Sequence, residues 1–111
     1  MPIRLPLPAH AYVDTHWDAH LERTREFLRQ PSISAQNLGL RETADCLRAW
    51  LEARGAAVAY HGDKTRPIVY AEWNVGAPRT LLAYSMYDVQ PVDDQDWPTP
   101  PFAAQIWNHS E

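Results

Sequence analysis

One carboxylate stands out by its place in the chain. Thr80–Tyr84 reads as a strand carrying Leu81, Leu82 and Ala83 in succession, and Ser85-Met86-Tyr87-Asp88 follows it directly. In open α/β sheets, ligands bind beyond the carboxyl ends of the strands, so Asp88 sits where sites form. If the backbone stays extended there, Met86 and Asp88 point to one side and Tyr87 to the other. On these residues alone, a loop aspartate bonded to nearby backbone is the plainer reading.

The other chemical candidates carry less. His16 and His20 are four apart on a helical stretch, the spacing that lets two imidazoles share a metal. Trp17 stands where a zinc-protease helix carries its glutamate, and no third ligand is evident. A solvated helix flank is the better reading. His10, His61 and His109 are isolated. Asp93, Asp94 and Asp96 lack the turn glycine and distal glutamate of a calcium loop, which leaves a solvated acidic loop. Cys46 falls near the buried side of a helix, where a small apolar role is usual. Pro98-Thr99-Pro100-Pro101 has a Pro-x-x-Pro spacing, but packing on its own fold is the better reading. There is no Gly-x-Ser-x-Gly elbow for a serine hydrolase and no glycine-rich phosphate loop, with only 4 glycines in all.

The elements that must position Asp88 follow from periodicity. Residues 1–12, with Pro2, Pro6 and Pro8, predict an extended lead-in. A first helix is expected from Asp14 or Thr15 to Arg29, opened by a Thr15/Asp18 capping box. Trp17, Leu21, Thr24 and Leu28 form its stripe, with Phe27 alongside, and Pro31 stops it. A second helix is expected from Leu40 to Arg54, burying Leu40, Ala44, Leu47 and Leu51, with Gly55 as its left-handed cap. Strands are expected at 56–61, with Val58 and Tyr60 on one face, at 68–73 and at 80–84. The unbroken apolar run of the third suggests burial on both faces. Residues 103–107 could begin a fourth. The fold class is therefore α/β: two helices followed by three or four strands. Residues 13–111 form one domain piece whose sheet edges are left open, a liability for self-association.

Bulk properties exclude several functions. The chain has 111 residues, enough for one small domain. Its formal net charge of −4 and scattered basic residues argue against nucleic acid as a partner. One cysteine allows no internal disulfide and fits a reducing, cytoplasmic setting. No stretch approaches the ~20 apolar residues of a membrane helix, so no membrane role is expected. Five Trp and five Tyr need burial or a partner surface.

The segment Leu81-Leu82-Ala83-Tyr84-Ser85-Met86-Tyr87-Asp88-Val89-Gln90-Pro91-Val92 resembles the first metal motif of a zinc metallopeptidase family. That family includes carnosine dipeptidase, carboxypeptidase G, aminoacylase and acetylornithine deacetylase. Trp97, Pro100, Pro101 and Phe102 resemble the stretch that follows the motif. Pro31-Ser32-Ile33-Ser34-Ala35-Gln36, Gly55 and Pro67-Ile68-Val69-Tyr70-Ala71-Glu72 fall in the family's order. The likeness covers nearly all of this chain and the N-terminal part of the family's chain.

The resemblance implies a three-layer catalytic domain, zinc, and hydrolysis of dipeptides or N-acyl amino acids. The family motif is His-x-Asp, in which the aspartate orients the zinc-bound histidine. Asp88 matches that aspartate and is the one catalytic candidate; Met86 stands where the histidine belongs. A thioether is a soft ligand, better suited to copper(I) than to zinc, so no metal ligand is assigned and zinc held in the usual way is not expected. The family's bridging aspartate, catalytic glutamate and further ligands lie beyond the matched region. The expectation is a truncated metallopeptidase piece that is inactive alone. The alternative is a non-catalytic α/β module acting through protein–protein contact.

Overall fold

The computed structural model describes residues 7–108. Among these residues it contains helices α1 (Leu7–Thr15), α2 (Trp17–Arg29) and α3 (Leu40–Glu52), a 3-10 turn at Ser34–Gln36, and strands β1 (Ala57–His61) and β2 (Ile68–Glu72). The architecture is α/β, as the sequence predicts, although the elements are distributed differently.

The lead-in is helical from Leu7, which corrects the extended reading of residues 7–12; residues 1–6 lie outside the described residues. Pro8 falls in the first turn of α1, where a missing N–H has no helical partner to lose. The Thr15/Asp18 capping box does not form, and His16, at the junction, makes no side-chain cap. It is not needed there. The His16 amide donates to the Tyr12 carbonyl and the His20 amide to the His16 carbonyl, so the ladder runs across the break.

The stripe on α2 is only partly covered. Trp17 is 57% and Leu28 49% exposed, and Phe27 makes its ring contact with Trp50 of α3 at 5.9 Å. By contrast α3 behaves as its pattern predicts: Leu40 and Ala44 are buried, and Leu47 and Leu51 half-buried. Its end closes with the Gly55 amide on the Glu52 carbonyl and the Ala56 amide on the Leu51 carbonyl. These are the two bonds of a Schellman motif, and Gly55 takes φ +82° to make them.

From that cap the chain enters an antiparallel pair, with Val58 opposite Ala71 and Tyr60 opposite Val69. These four are the half-buried face and pack against α3. The Tyr60 hydroxyl donates to Asp45 Oδ1 at 2.7 Å, and Arg41 Nε donates to the same oxygen at 3.0 Å. The Tyr60 bond, then Arg41, holds the Asp45 carboxyl below its ordinary value.

The third and fourth strands do not form. Residues 80–84 run without turn, bend or helix but pair with nothing among the described residues. Leu81 is 93%, Leu82 82% and Tyr84 86% exposed, the reverse of the two-sided burial their run suggests. A strand needs a neighbouring backbone, and no described element lies in register to offer one. At 103–107, Ala104 takes φ +50°, which interrupts an extended run. The consequence is a small core of Ile33, Leu40, Ala44 and Ala56, with Pro67, Ser32 and Thr43 also buried. The radius of gyration is 17.1 Å, against about 13–14 Å for a compact chain of this length.

Gly39 is the tightest point of this frame. It precedes α3 at φ +73°, and a Cβ there would lie 1.8 Å from the Pro31 carbonyl oxygen. Gly39→Ala is expected to cost about 3 kcal/mol or more by urea unfolding, combining left-handed strain with a backbone clash. Gly55→Ala, with open space around its Cβ, should cost only about 1–2 kcal/mol. The lowered Asp45 carboxyl gives a second expectation. Its stabilising effect is complete at neutral pH and is lost as pH falls through the depressed value. Tyr60→Phe should move the Asp45 titration, followed by NMR, back up toward the ordinary carboxylate range.

Candidate functional site

The site is assembled from two segments far apart in sequence. In the first, Pro31 follows the end of α2, and residues 33–38 then fold into a tight loop. The Ile33 amide donates to the Leu38 carbonyl at 2.9 Å and the Leu38 amide returns a bond to Ile33 at 3.1 Å. Asn37 at φ +50° and Gly39 at φ +73° allow the loop to close. Ile33, 2% exposed, also forms a parallel bridge with Val89, and the Val89 amide donates to the Ser32 carbonyl at 2.7 Å.

This places the Ser34 hydroxyl on Asp88, donating to Oδ2 at 2.6 Å. Such a bond to a charged acceptor is short and strong for its type. Gln36 adds a parallel tie, its Nε2 donating to Asp93 Oδ2 at 2.9 Å. The Tyr87 hydroxyl donates to the Pro67 carbonyl at 2.6 Å, and Tyr87 lines the same cleft as Met86 and Asp88, against the alternation expected for an extended segment. Burial, and then the neighbouring Asp88 charge, raises the Tyr87 phenol above its ordinary value. It is a fixed donor at neutral pH, and it anchors the 85–88 segment against the start of β2.

A cleft of about 340 Å³ lies between these segments. Ser34, Arg66, Pro67, Ile68, Met86 and Asp88 are among the residues that line it. Met86 is 75% exposed. Met86, Tyr87 and Asp88 all line this one cleft at the end of the apolar run. A second cleft, of about 260 Å³, is lined by Leu28, Val92, Trp97, Pro101 and Phe102. The Trp97 indole donates to the Val92 carbonyl and Arg25 Nε to the Ala104 carbonyl. Pro98, Pro100 and Pro101 are themselves exposed, while Thr99, Phe102 and Ala104 are half-buried.

The remaining candidates do not join the site. His16 stacks on Tyr12 at 4.1 Å and its Nδ1 lies 2.8 Å from the Tyr12 carbonyl; its ring centroid is 6.2 Å from that of His20. His61 meets the edge of Tyr70. Cys46 is half-buried, and burial raises its thiol above the ordinary value, with Glu26 adding to the effect. His109 lies outside the described residues. Among the described residues, no three His, Cys, Asp or Glu side chains come together as a metal-binding group. The donors at the cleft are a thioether and a carboxylate already engaged by a serine. This set does not fit zinc, which takes three protein ligands in catalytic sites and four in structural ones.

Ser34 is the residue whose role the sequence did not disclose. It is separated from Asp88 by 54 positions. No local spacing reports such a pair.

No family model matches the sequence, and a search of curated proteins gives no match. Among solved structures, the chain is similar to a metallo-carboxypeptidase of the M20 family from Sulfolobus solfataricus. The two are 48% identical with a TM-score of 0.70. The likeness covers 76% of this chain and 20% of the other, so the chain spans about a fifth of that protein's length. It supports the M20 peptidase family for this chain, and a partial M20-type domain as its fold. No described helix is long and apolar enough to cross a membrane.

Ser34→Ala is expected to release Asp88 and loosen the clasp. The cost should be about 1 kcal/mol in urea unfolding. Faster hydrogen exchange at the Val89 amide, measured by NMR, should accompany it.

Proposed function

We propose that this chain is the N-terminal catalytic-domain portion of an M20-type metal-dependent peptidase or amidohydrolase, and that it does not hydrolyse substrate by itself. The observation that carries the reading is the 48% identity to an M20 metallo-carboxypeptidase over 76% of the chain. The substrate class of the complete enzyme is dipeptides or N-acyl amino acids, with zinc as its metal. Within this portion Asp88 is the carboxylate that would orient a metal-bound imidazole, held in place by Ser34. With Met86 two residues before it, there is no imidazole to orient. Zinc activates water at neutral pH only when a suitable ligand set and a general base accompany it. The cleft around Asp88 holds neither a second carboxylate nor a histidine among its lining residues.

The purified chain, supplied with zinc and assayed on a panel of dipeptides and N-acyl amino acids, should give no turnover above the metal-only control. Met86→His should also stay inactive, because one restored ligand supplies no general base. Isothermal titration should show no stoichiometric high-affinity zinc site in the natural sequence. Robust zinc-dependent turnover by the unmodified chain would refute this reading.

A further inference from the structure

Tyr12, His16 and His20 follow one another at helical spacing, and the backbone ladder runs unbroken through them. The His16 amide donates to the Tyr12 carbonyl at 3.0 Å, and the His20 amide to the His16 carbonyl at 2.9 Å. Residues four apart on such a ladder are neighbours on one face. Tyr12 stacks on His16 with ring centres 4.1 Å apart and lies 5.7 Å from His20. His16 is exposed and His20 half-buried. His16 Nδ1 is 2.8 Å from the Tyr12 carbonyl oxygen. A carbonyl only accepts, so in the neutral ring Nδ1 carries the proton and Nε2 keeps the lone pair. A backbone carbonyl on the far ring nitrogen is the usual support of a metal-binding imidazole. His20 Nδ1 lies 3.5 Å from Arg23 Nη1, a contact at the limit of hydrogen bonding.

We infer that His16 and His20 chelate one copper(II) ion, at a site separate from the Asp88 cleft. Imidazoles four residues apart on a helix can reach one ion from the same face. The ring centres, now 6.2 Å apart, must approach to about 5 Å for both nitrogens to lie about 2 Å from a shared ion. A rotation of the His20 side chain achieves this without moving the helix, and it breaks the contact with Arg23. Arg23 is therefore the competitor. It engages His20 and sets a positive charge beside the ion. No third His, Cys, Asp or Glu joins the pair among the described residues, so water fills the remaining positions. Two nitrogens completed by water suit tetragonal copper(II), which also stands highest in the general affinity order of divalent metals. Zinc takes three or four protein ligands and is held more weakly by two.

Copper(II) titration of the intact 111-residue chain, by calorimetry with glycine as a weak competing chelator, tests this. The expected result is one ion per chain. His16→Ala and His20→Ala should each weaken binding about tenfold or more, because the remaining imidazole loses a second ligand held beside it at high effective concentration. Far-UV circular dichroism should show both variants still helical. Arg23→Gln keeps both histidines and should tighten binding severalfold, which gives a test independent of the two alanine variants. In proton NMR, sub-stoichiometric copper(II) should broaden the His16 and His20 ring signals first and leave those of His61 sharp. Met86→Leu should bind as the natural sequence does. A chain that takes up no copper(II) overturns the inference. Binding that keeps full strength without either histidine, that Arg23→Gln fails to tighten, or that Met86→Leu abolishes overturns it equally. Binding of copper(II) is read here rather than zinc-dependent hydrolysis, so the outcome is independent of the peptidase reading.

Discussion

The structure depends on the clasp that Ile33 and its two flanking serines place on residues 88 and 89. The Ser32 carbonyl takes the Val89 amide, Ile33 is buried between Leu38 and Val89, and the Ser34 hydroxyl takes the Asp88 carboxylate. Three successive residues thereby tie the helical half of the chain to the segment that ends the apolar run. The clasp in turn rests on the Ile33–Leu38 loop, which closes only because Gly39 can lie against the Pro31 carbonyl in a left-handed conformation. Ile33 and Leu40 are two of the few fully buried apolar side chains. The small core and the candidate site are therefore one piece of structure.

The clasp changes the meaning of the Met86–Asp88 pair. In a histidine-containing site the aspartate supports an imidazole and raises its basicity. Here the carboxylate accepts from a serine hydroxyl instead. Its position is fixed without a metal ligand beside it.

The apolar segment just before the site has the opposite character. Leu81, Leu82 and Tyr84 lie open although their sequence is that of a buried strand. Hydrophobic patterning states only that a residue favours burial. It does not supply the surface that buries it.

Much of the local structure was legible in the sequence because its causes are local. The α3 stripe of Leu40 and Ala44, the Gly55 cap and the Val58/Tyr60 face each arise from periodicity or from one glycine's freedom within a few residues. The alternation expected after the run did not hold: Tyr87 lines the same cleft as Met86 and Asp88. Other features were decided by contacts between distant parts. Whether residues 80–84 join a sheet depends on a neighbouring backbone. The α2 stripe needs a facing surface to become a core, and the helical start at Leu7 overrode the extended preference of its prolines. The bond from Ser34 to Asp88 spans 54 positions. The sequence by itself determined the chemistry available, a carboxylate with a methionine two residues before it. Only the tertiary structure decided what holds that carboxylate, because hydrogen-bond partners are chosen by proximity in space, which no local pattern encodes.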